Sequence, residues 1–294
     1  MGWGEIFALS SSLMWALAVI LFRRSGETLP AFELNMFKNC FGMVLMFPTI
    51  LVVNGTALPG YSATELWLVL VSGVVGIAVA DTWYLKALNM MGASRTGIVS
   101  SLFSPFIILL SAIFLGERLV SWQWLGFVLV LSGVLLVTWR THRATVDATS
   151  LKTGLIYGIG AVMMMAIGVV MVKEILETQS FLWTVELRLV AGFFSMLVFT
   201  LFRSRWKSVI RNFKKPQPWK MMSFASFLGT YFAMMLWLAG YKLIDASVAS
   251  VLNESNVVFI VLLAWFMLGE QITRRKLAGI GLTSWASARS LAIR

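Results

Sequence analysis

The sequence predicts an all-α membrane protein, with ten transmembrane helices arranged as two inverted five-helix repeats around a central cavity. Three observations lead there. The 294 residues are 59% hydrophobic and only 13% charged, with a mean hydropathy of +0.84; that charged share is about half the soluble norm. The apolar residues fall in continuous runs of about 20, the length that crosses a bilayer core as a helix. The runs also recur. Ala93-Ser94 returns as Ala246-Ser247, Leu115-Gly116-Glu117 as Leu268-Gly269-Glu270, and Gly126 as Gly279, all at one offset. Self-similarity at a fixed offset marks repeated structural units.

Spans are expected at about 3–22, 31–53, 64–85, 94–115, 121–139, 153–172, 181–202, 219–241, 246–268 and 276–289. Helices are the default because every backbone N–H and C=O must find a partner inside the bilayer. A barrel would instead show alternating segments of about ten residues. The front parts of the halves match as well: Gly4 with Gly154, Ala16 with Ala166, Glu27-Thr28 with Glu177-Thr178, Lys38 with Arg188, and Gly42 with Gly192. That offset is three residues shorter than the later one, so a loop changed length. The repeats are therefore 1–140 and 152–294, joined by a polar linker at 141–151. Five is odd, so the second repeat is expected to start on the opposite side. Inverted repeats place a binding site at the midplane between them. The last span is weak, since serines and Arg289 replace aliphatics beyond Gly281, and no function is assigned to it.

Arg23, Arg24, Lys86, Arg95, Arg140, Arg143, Arg274 and the basic stretch at 203–220 follow odd-numbered spans; the loops after even spans carry only Arg118, Lys173 and Lys242. Cytoplasmic loops hold the excess of Lys and Arg, so both termini are expected on the periplasmic side of a bacterial inner membrane. The first apolar run is too long for a signal-peptide core and carries Glu5 in place of basic residues. The net charge of +11 does not indicate nucleic acid, because the bases sit in loops and not on one face. The 203–220 loop reads as a solvated retention signal or as a contact for anionic lipid heads. Cys40 and His142 are the lone residues of their types, so no disulfide framework, metal site or cofactor is expected.

The candidate site residues lie deep in spans. Pro105 stands inside the fourth span beside Ser100, Ser101 and Phe103, where it removes a hydrogen bond and kinks the helix. The matching stretch of the second half carries Asn253, Glu254 and Asn256. Both stretches are expected to be the irregular, polar part of an apolar helix, which is the pointer to a midplane site. The competing reading is an interior hydrogen-bond cluster joining helices. Glu254 would lie roughly 12 Å deep, where an ionisable group suggests function: cavity polarity, a coupling proton, or a buried structural partner. Lys38 and Arg188, roughly 10 Å deep, either snorkel to the near interface or line the cavity and meet a carboxylate. Asp81, late in the third span, caps, pairs or binds near the cavity mouth. Trp15, Tyr84, Tyr231 and Trp237 are deep aromatics, and Tyr84 and Trp237 occupy equivalent repeat positions. They stack on a flat substrate or shield a cation, or they pack. Gly154-x-x-x-Gly158 and Gly73-x-x-Gly76 with Ala80 allow close helix approach.

Nucleophile-elbow, Walker, HExxH and dinucleotide fingerprints are all missing. The chain is therefore not expected to be an enzyme, and any transport would be driven by a gradient. The run Tyr84-Leu85-Lys86-Ala87-Leu88, then Ala93-Ser94, Leu115-Gly116-Glu117-Arg118 and Gly126, resembles the EamA repeat of the drug/metabolite transporter superfamily. The second copy runs through Trp237, Gly240-Tyr241, Ala246-Ser247, Leu268-Gly269-Glu270 and Gly279. Within that superfamily the chain looks most like the bacterial exporters of aromatic amino acids. The resemblance implies ten helices, inverted repeats, a central cavity and export of amino acids or similar metabolites. It departs from a symmetric pattern at Glu254, whose counterpart is Ser101, and at Gln271, which replaces Arg118. The expected partners are a small amino-acid-like substrate and the bilayer; the oligomeric state is open, a monomer being admissible. The rival readings are a polyspecific drug/proton antiporter, a non-transporting scaffold and an intramembrane enzyme, the last disfavoured by the missing catalytic dyads.

Overall fold

The structure is a computed structural model and describes residues 2–55, 59–114, 128, 132, 148–243, 246–274, 276–278 and 280–281. Glu117, Gly126, Gly279, the fifth expected span apart from Val128 and Ser132, and most of the tenth span lie outside the described residues. Those described are helical, with no strand among them. They form α1 (Trp3–Ser25), α2 (Ala31–Asn54), α3 (Ala63–Met91), α4 (Ala93–Ser100), α5 (Phe103–Phe114), α6 (Ala148–Val170) and the short α7 (Lys173–Thr178). Then follow α8 (Phe181–Phe202), α9 (Trp206–Lys214), α10 (219–243) and α11 (Ala246–Leu268). Among the described residues, α1, α2, α3, α6 and α8 carry segments long and apolar enough to cross a membrane. Helix α6 begins at Ala148, a little inside the expected linker.

Start signals are readable. At α3 the Ser62 hydroxyl accepts from the Glu65 amide, and the Glu65 carboxylate accepts from the Ser62 amide at 2.7 Å, a reciprocal cap that satisfies two helix-end donors. The expected break in the fourth span is present. Helix α4 ends at Ser100, a turn follows at Ser101 and Leu102, and α5 starts at Phe103. Pro105 has no N–H to donate to the Ser101 carbonyl, so the ladder cannot run through. Its counterpart is not irregular: α11 runs unbroken through 253–256. Val258 stands where the first half has Pro105, so the backbone donor is retained.

Helices α3 and α10 each contain a π-helical turn, Val74–Val79 and Phe227–Phe232, at equivalent repeat positions. The wider turn leaves carbonyls poorly placed for the regular ladder. In α3 the Asn35 side chain of α2 donates to Ile77 O at 2.9 Å and Ala78 O at 3.3 Å. The π turns are also where the halves meet. A Cβ added to Gly42 of α2 would lie 2.4 Å from Thr230 of α10, and one added to Gly192 of α8 would lie 2.9 Å from Ile77 of α3. Each of these is the other's repeat equivalent. Gly76 against Gly168 and Gly229 against Ala18 form a second such set. The two halves thus meet through repeat-equivalent positions.

The main core forms around α1. Ala16, Ala18, Val19, Ile20 and Phe22 pack with Tyr84 and Leu88 of α3, Ala225 and Leu228 of α10, and Ile260 and Ala264 of α11.

The helix ends sort into two sets. At one end Arg24 donates to Met267 O, Asn89 to Gly26 O, Asn212 to Glu33, and Glu270 meets the start of α4. At the other end Asn54 bonds Ser180 at 2.7 Å, Tyr61 bonds Thr184 at 2.9 Å and Gln179 bonds Glu65. The first set joins loops that follow odd-numbered spans, and the second joins loops that follow even ones.

Candidate functional site

Polar side chains inside the bundle form two patches joined through α3. The first lies between α2, α3 and α8. Lys38 is 6% exposed, and its Nζ donates to Asp81 Oδ2 at 2.5 Å. Beside it Asn39 donates to Asn35 at 3.0 Å, and Asn35 to Thr82 at 3.0 Å. Lys38 therefore does not snorkel out; it enters the interior and meets a carboxylate there, which keeps the buried charge paired. Arg188, its repeat equivalent, runs along α3. An added Cβ at Gly73 would come 2.4 Å from the Arg188 carbonyl, and one at Gly76 would come 3.1 Å from Arg188 Nη2. Asp81 lies within electrostatic reach of Arg188. The buried Arg188 Nε has no hydrogen-bond partner among the described residues.

Tyr84 follows Asp81 by three residues on the same face of α3 and leads into the second patch. The residue is 5% exposed, its ring lies 6.3 Å from Trp15 of α1, and its hydroxyl neighbours Ser100 without a close hydrogen bond among the described residues. One turn before Trp15, the single Ser12 hydroxyl proton is shared among alternative acceptors: Ala8 O at 3.1 Å, the Asn253 carbonyl at 3.2 Å and the Asn253 side-chain oxygen at 3.3 Å. The Asn253 amide nitrogen is buried and unpartnered among the described residues. Ser100 bonds back to Thr96 O at 2.9 Å. Ser101, at the break, is fully buried with its hydroxyl unpartnered. Ser12, Trp15, Tyr84 and Asn253 thus stand around the contact between α1, α3 and α11. A buried polar atom without a partner costs about 1–3 kcal/mol, so the second patch is unsatisfied without a guest or water.

Tyr231, Trp237 and Phe103 meet other neighbours. The Tyr231 hydroxyl bonds Thr49 of α2 at 2.7 Å, and Trp237 stands 6.3 Å from Phe181 of α8. Tyr84 and Trp237, equivalent in sequence, therefore face different neighbours: α1 for one, α8 for the other. Phe103 packs towards Ala166 and Val170 of α6, and Pro105 is buried within α5. Asn256 is half-buried on α11. Glu254 falls within α11, and its side chain lies outside what the structure describes. Sequence reasoning passed over Asn35, Asn39 and Ser12, and also Glu186, which is 4% exposed with Oε2 unpartnered among the described residues. The spacing Asn35-x-x-Lys38-Asn39 on one helix face was a legible signal for the first pair. Glu186 needed only the rule that intramembrane ionisable groups be noticed.

Among the described residues no cluster of His, Cys, Asp and Glu could hold a metal ion. A solved crystal structure aligns with 99% of this chain and 96% of its own chain at TM-score 0.66 and 16% identity, a likeness of fold. The pseudopaline exporter CntI of Pseudomonas aeruginosa is 30% identical over 135 residues, which is 46% of each chain. An uncharacterized transporter of Vibrio cholerae is 29% identical over 138 residues, 45% of this chain and 44% of that protein. The alignment thus spans about half the length of the curated relatives it matches. Residues 2–139 and 152–287 each match the sequence model of the EamA-like transporter family. The match falls on both of the halves whose contacts are reciprocal and takes in both polar patches, so this multi-pass membrane protein belongs to the EamA-like transporter family.

Proposed function

We propose that the chain exports small amphipathic metabolites, aromatic or other apolar amino acids foremost, across the inner membrane of a bacterium by alternating access. The observation that carries this is the polar band from Lys38 through Asp81 and Tyr84 to Asn253. It is buried among apolar helices and only partly satisfied. A zwitterion leaving water needs fixed polar partners in exchange, and Trp15 with Tyr84 offers an aromatic surface for its side chain. The curated relative named as an exporter supports the direction of transport.

The repeats are 1–140 and 152–294, inverted, with ten helices in all and both termini periplasmic. Helix α1 ends in the set of joints around Met267, whereas its equivalent α6 leads to the set around Ser180; antiparallel equivalents support inversion. Access alternates as one half rocks on the other about the band, the motion such repeats favour.

The test is counterflow of labelled L-phenylalanine in proteoliposomes, with Trp15→Ala and Asn253→Ala compared against wild type. Flux in wild type, cut by about tenfold or more in the variants while their thermal midpoints hold, is the expected result. No flux of any amino acid would leave the scaffold reading standing. Glu186 favours a second reading, proton-coupled antiport, because a buried carboxyl with a free oxygen inside a span is the equipment of a proton carrier. An imposed pH gradient that drives uptake in wild type but not in Glu186→Gln would select it.

A further inference from the structure

We infer that Arg188 is the arm that takes the carboxylate of the cargo, which makes the cargo class carboxylate-bearing and excludes plain amines and neutral drugs. The inference rests on the exporter reading for the existence of a cargo and adds the charge it must carry.

Among the described residues, Lys38 of α2, Asp81 of α3 and Arg188 of α8 come together where these helices meet. Asp81 is committed to Lys38 at 2.5 Å. Arg188 forms no ion pair among the described residues, and its buried Nε lacks an acceptor. Glu186 is the nearest carboxylate in sequence, two residues away and about 200° round the helix. It makes no ion pair with Arg188 among the described residues. Among the described residues the Arg188 charge therefore has no ion-pair partner; the side chain is half-buried with its Nε fully so, and a desolvated, unpaired ion is unfavourable until a counter-ion arrives.

The position of the guanidinium suits that role. It lies against the π turn of α3, where Gly76 has no side chain to exclude it. Gly168 of α6 backs Gly76, where an added Cβ at Gly168 would lie 3.1 Å from the Gly76 Cα. A planar fork held against backbone matches a carboxylate with two parallel hydrogen bonds, which an ammonium cannot do. Lys38, already neutralised by Asp81, offers an arriving anion much less. The two repeat-equivalent cations thus hold different jobs, because only the first half places an acid at the π turn: Met234 stands where Asp81 would recur.

The experiment uses the full chain with L-phenylalanine and L-phenylalaninamide, which differ only in the carboxylate. Binding is read by tryptophan fluorescence in detergent and flux in proteoliposomes. Wild type is expected to prefer phenylalanine. Arg188→Gln is expected to weaken phenylalanine by about tenfold or more and the amide by less than about twofold, with Arg188→Lys recovering part of the loss. Arg188→Lys replaces Arg188→Gln as the decisive variant if the glutamine protein is not monodisperse. The inference is overturned if phenylalanine binding is unchanged, if both probes weaken equally in a folded variant, or if wild type binds the amide as tightly as the acid. Binding with the expected preference but no flux would sink the exporter reading and leave the carboxylate site standing.

Discussion

At the scale of the residue, the decisive pair is Lys38 with Asp81. Neither charge is tolerable alone in this interior, and their 2.5 Å contact gives each a partner. Removing one member of a buried pair costs about 3–5 kcal/mol, because the other is left uncompensated. Lys38→Met and Asp81→Asn should each lower the thermal midpoint in detergent, and the double variant should recover much of the loss. Two additive losses would show that the ions are not paired in solution. That Lys38 lies inside a span was plain from the sequence. Its choice between the interface and the interior was not, since a long side chain reaches either way and only the position of Asp81 on the neighbouring helix decides.

At the scale of the element, the joint between α11 and α4 shows how helix ends are locked. Glu270, just beyond α11, accepts from the Ala93 amide at 2.7 Å and the Ser94 amide at 3.3 Å, and pairs with Lys276 at 3.1 Å. Free amides and the dipole at a helix start favour an anion there. Burial alone would raise the Glu270 carboxyl, but the bonds from Ser94, Lys276 and Ala93 outweigh it and hold it below its ordinary value of 4.5. A depressed folded value means that the carboxylate form stabilises the fold above the unfolded value and that this is lost as pH falls through the folded one. The gap in thermal midpoint between wild type and Glu270→Gln should thus be flat above about pH 6 and close as pH drops below 4.5; a gap that persists in acid would contradict the joint. Leu268-Gly269-Glu270 was visible as a repeated motif, but its task was not, because Ala93 lies far away in sequence and meets it only across the fold.

At the scale of the whole molecule, the basic loops gather at one end. Helix α9 extends that surface: Trp206, Val209, Ile210 and Phe213 fall on one side and Lys207, Arg211 and Lys214 on the other, the pattern of a helix lying in an interface. Arg205 sits 5.5 Å over the Phe32 ring, tying this end to the start of α2. In a Cys40→Ala background, a cysteine at Ser208 should react with an impermeant thiol reagent only from the cytoplasmic side, and one at Gly60 only from the periplasmic side. Labelling of both from one side would refute the topology.

By itself the sequence determined the membrane setting, the helical class, the repeat and most span boundaries, because length, hydropathy and self-similarity are properties of the chain alone. It also announced the break at Pro105, since a missing N–H is a local fact. Tertiary structure decided the rest: the paired π turns, the partner of Lys38, the placing of Arg188 against Gly76, and the different neighbours of Tyr84 and Trp237. Each of these depends on which helix lies opposite, and periodicity along one strand of sequence does not carry that information.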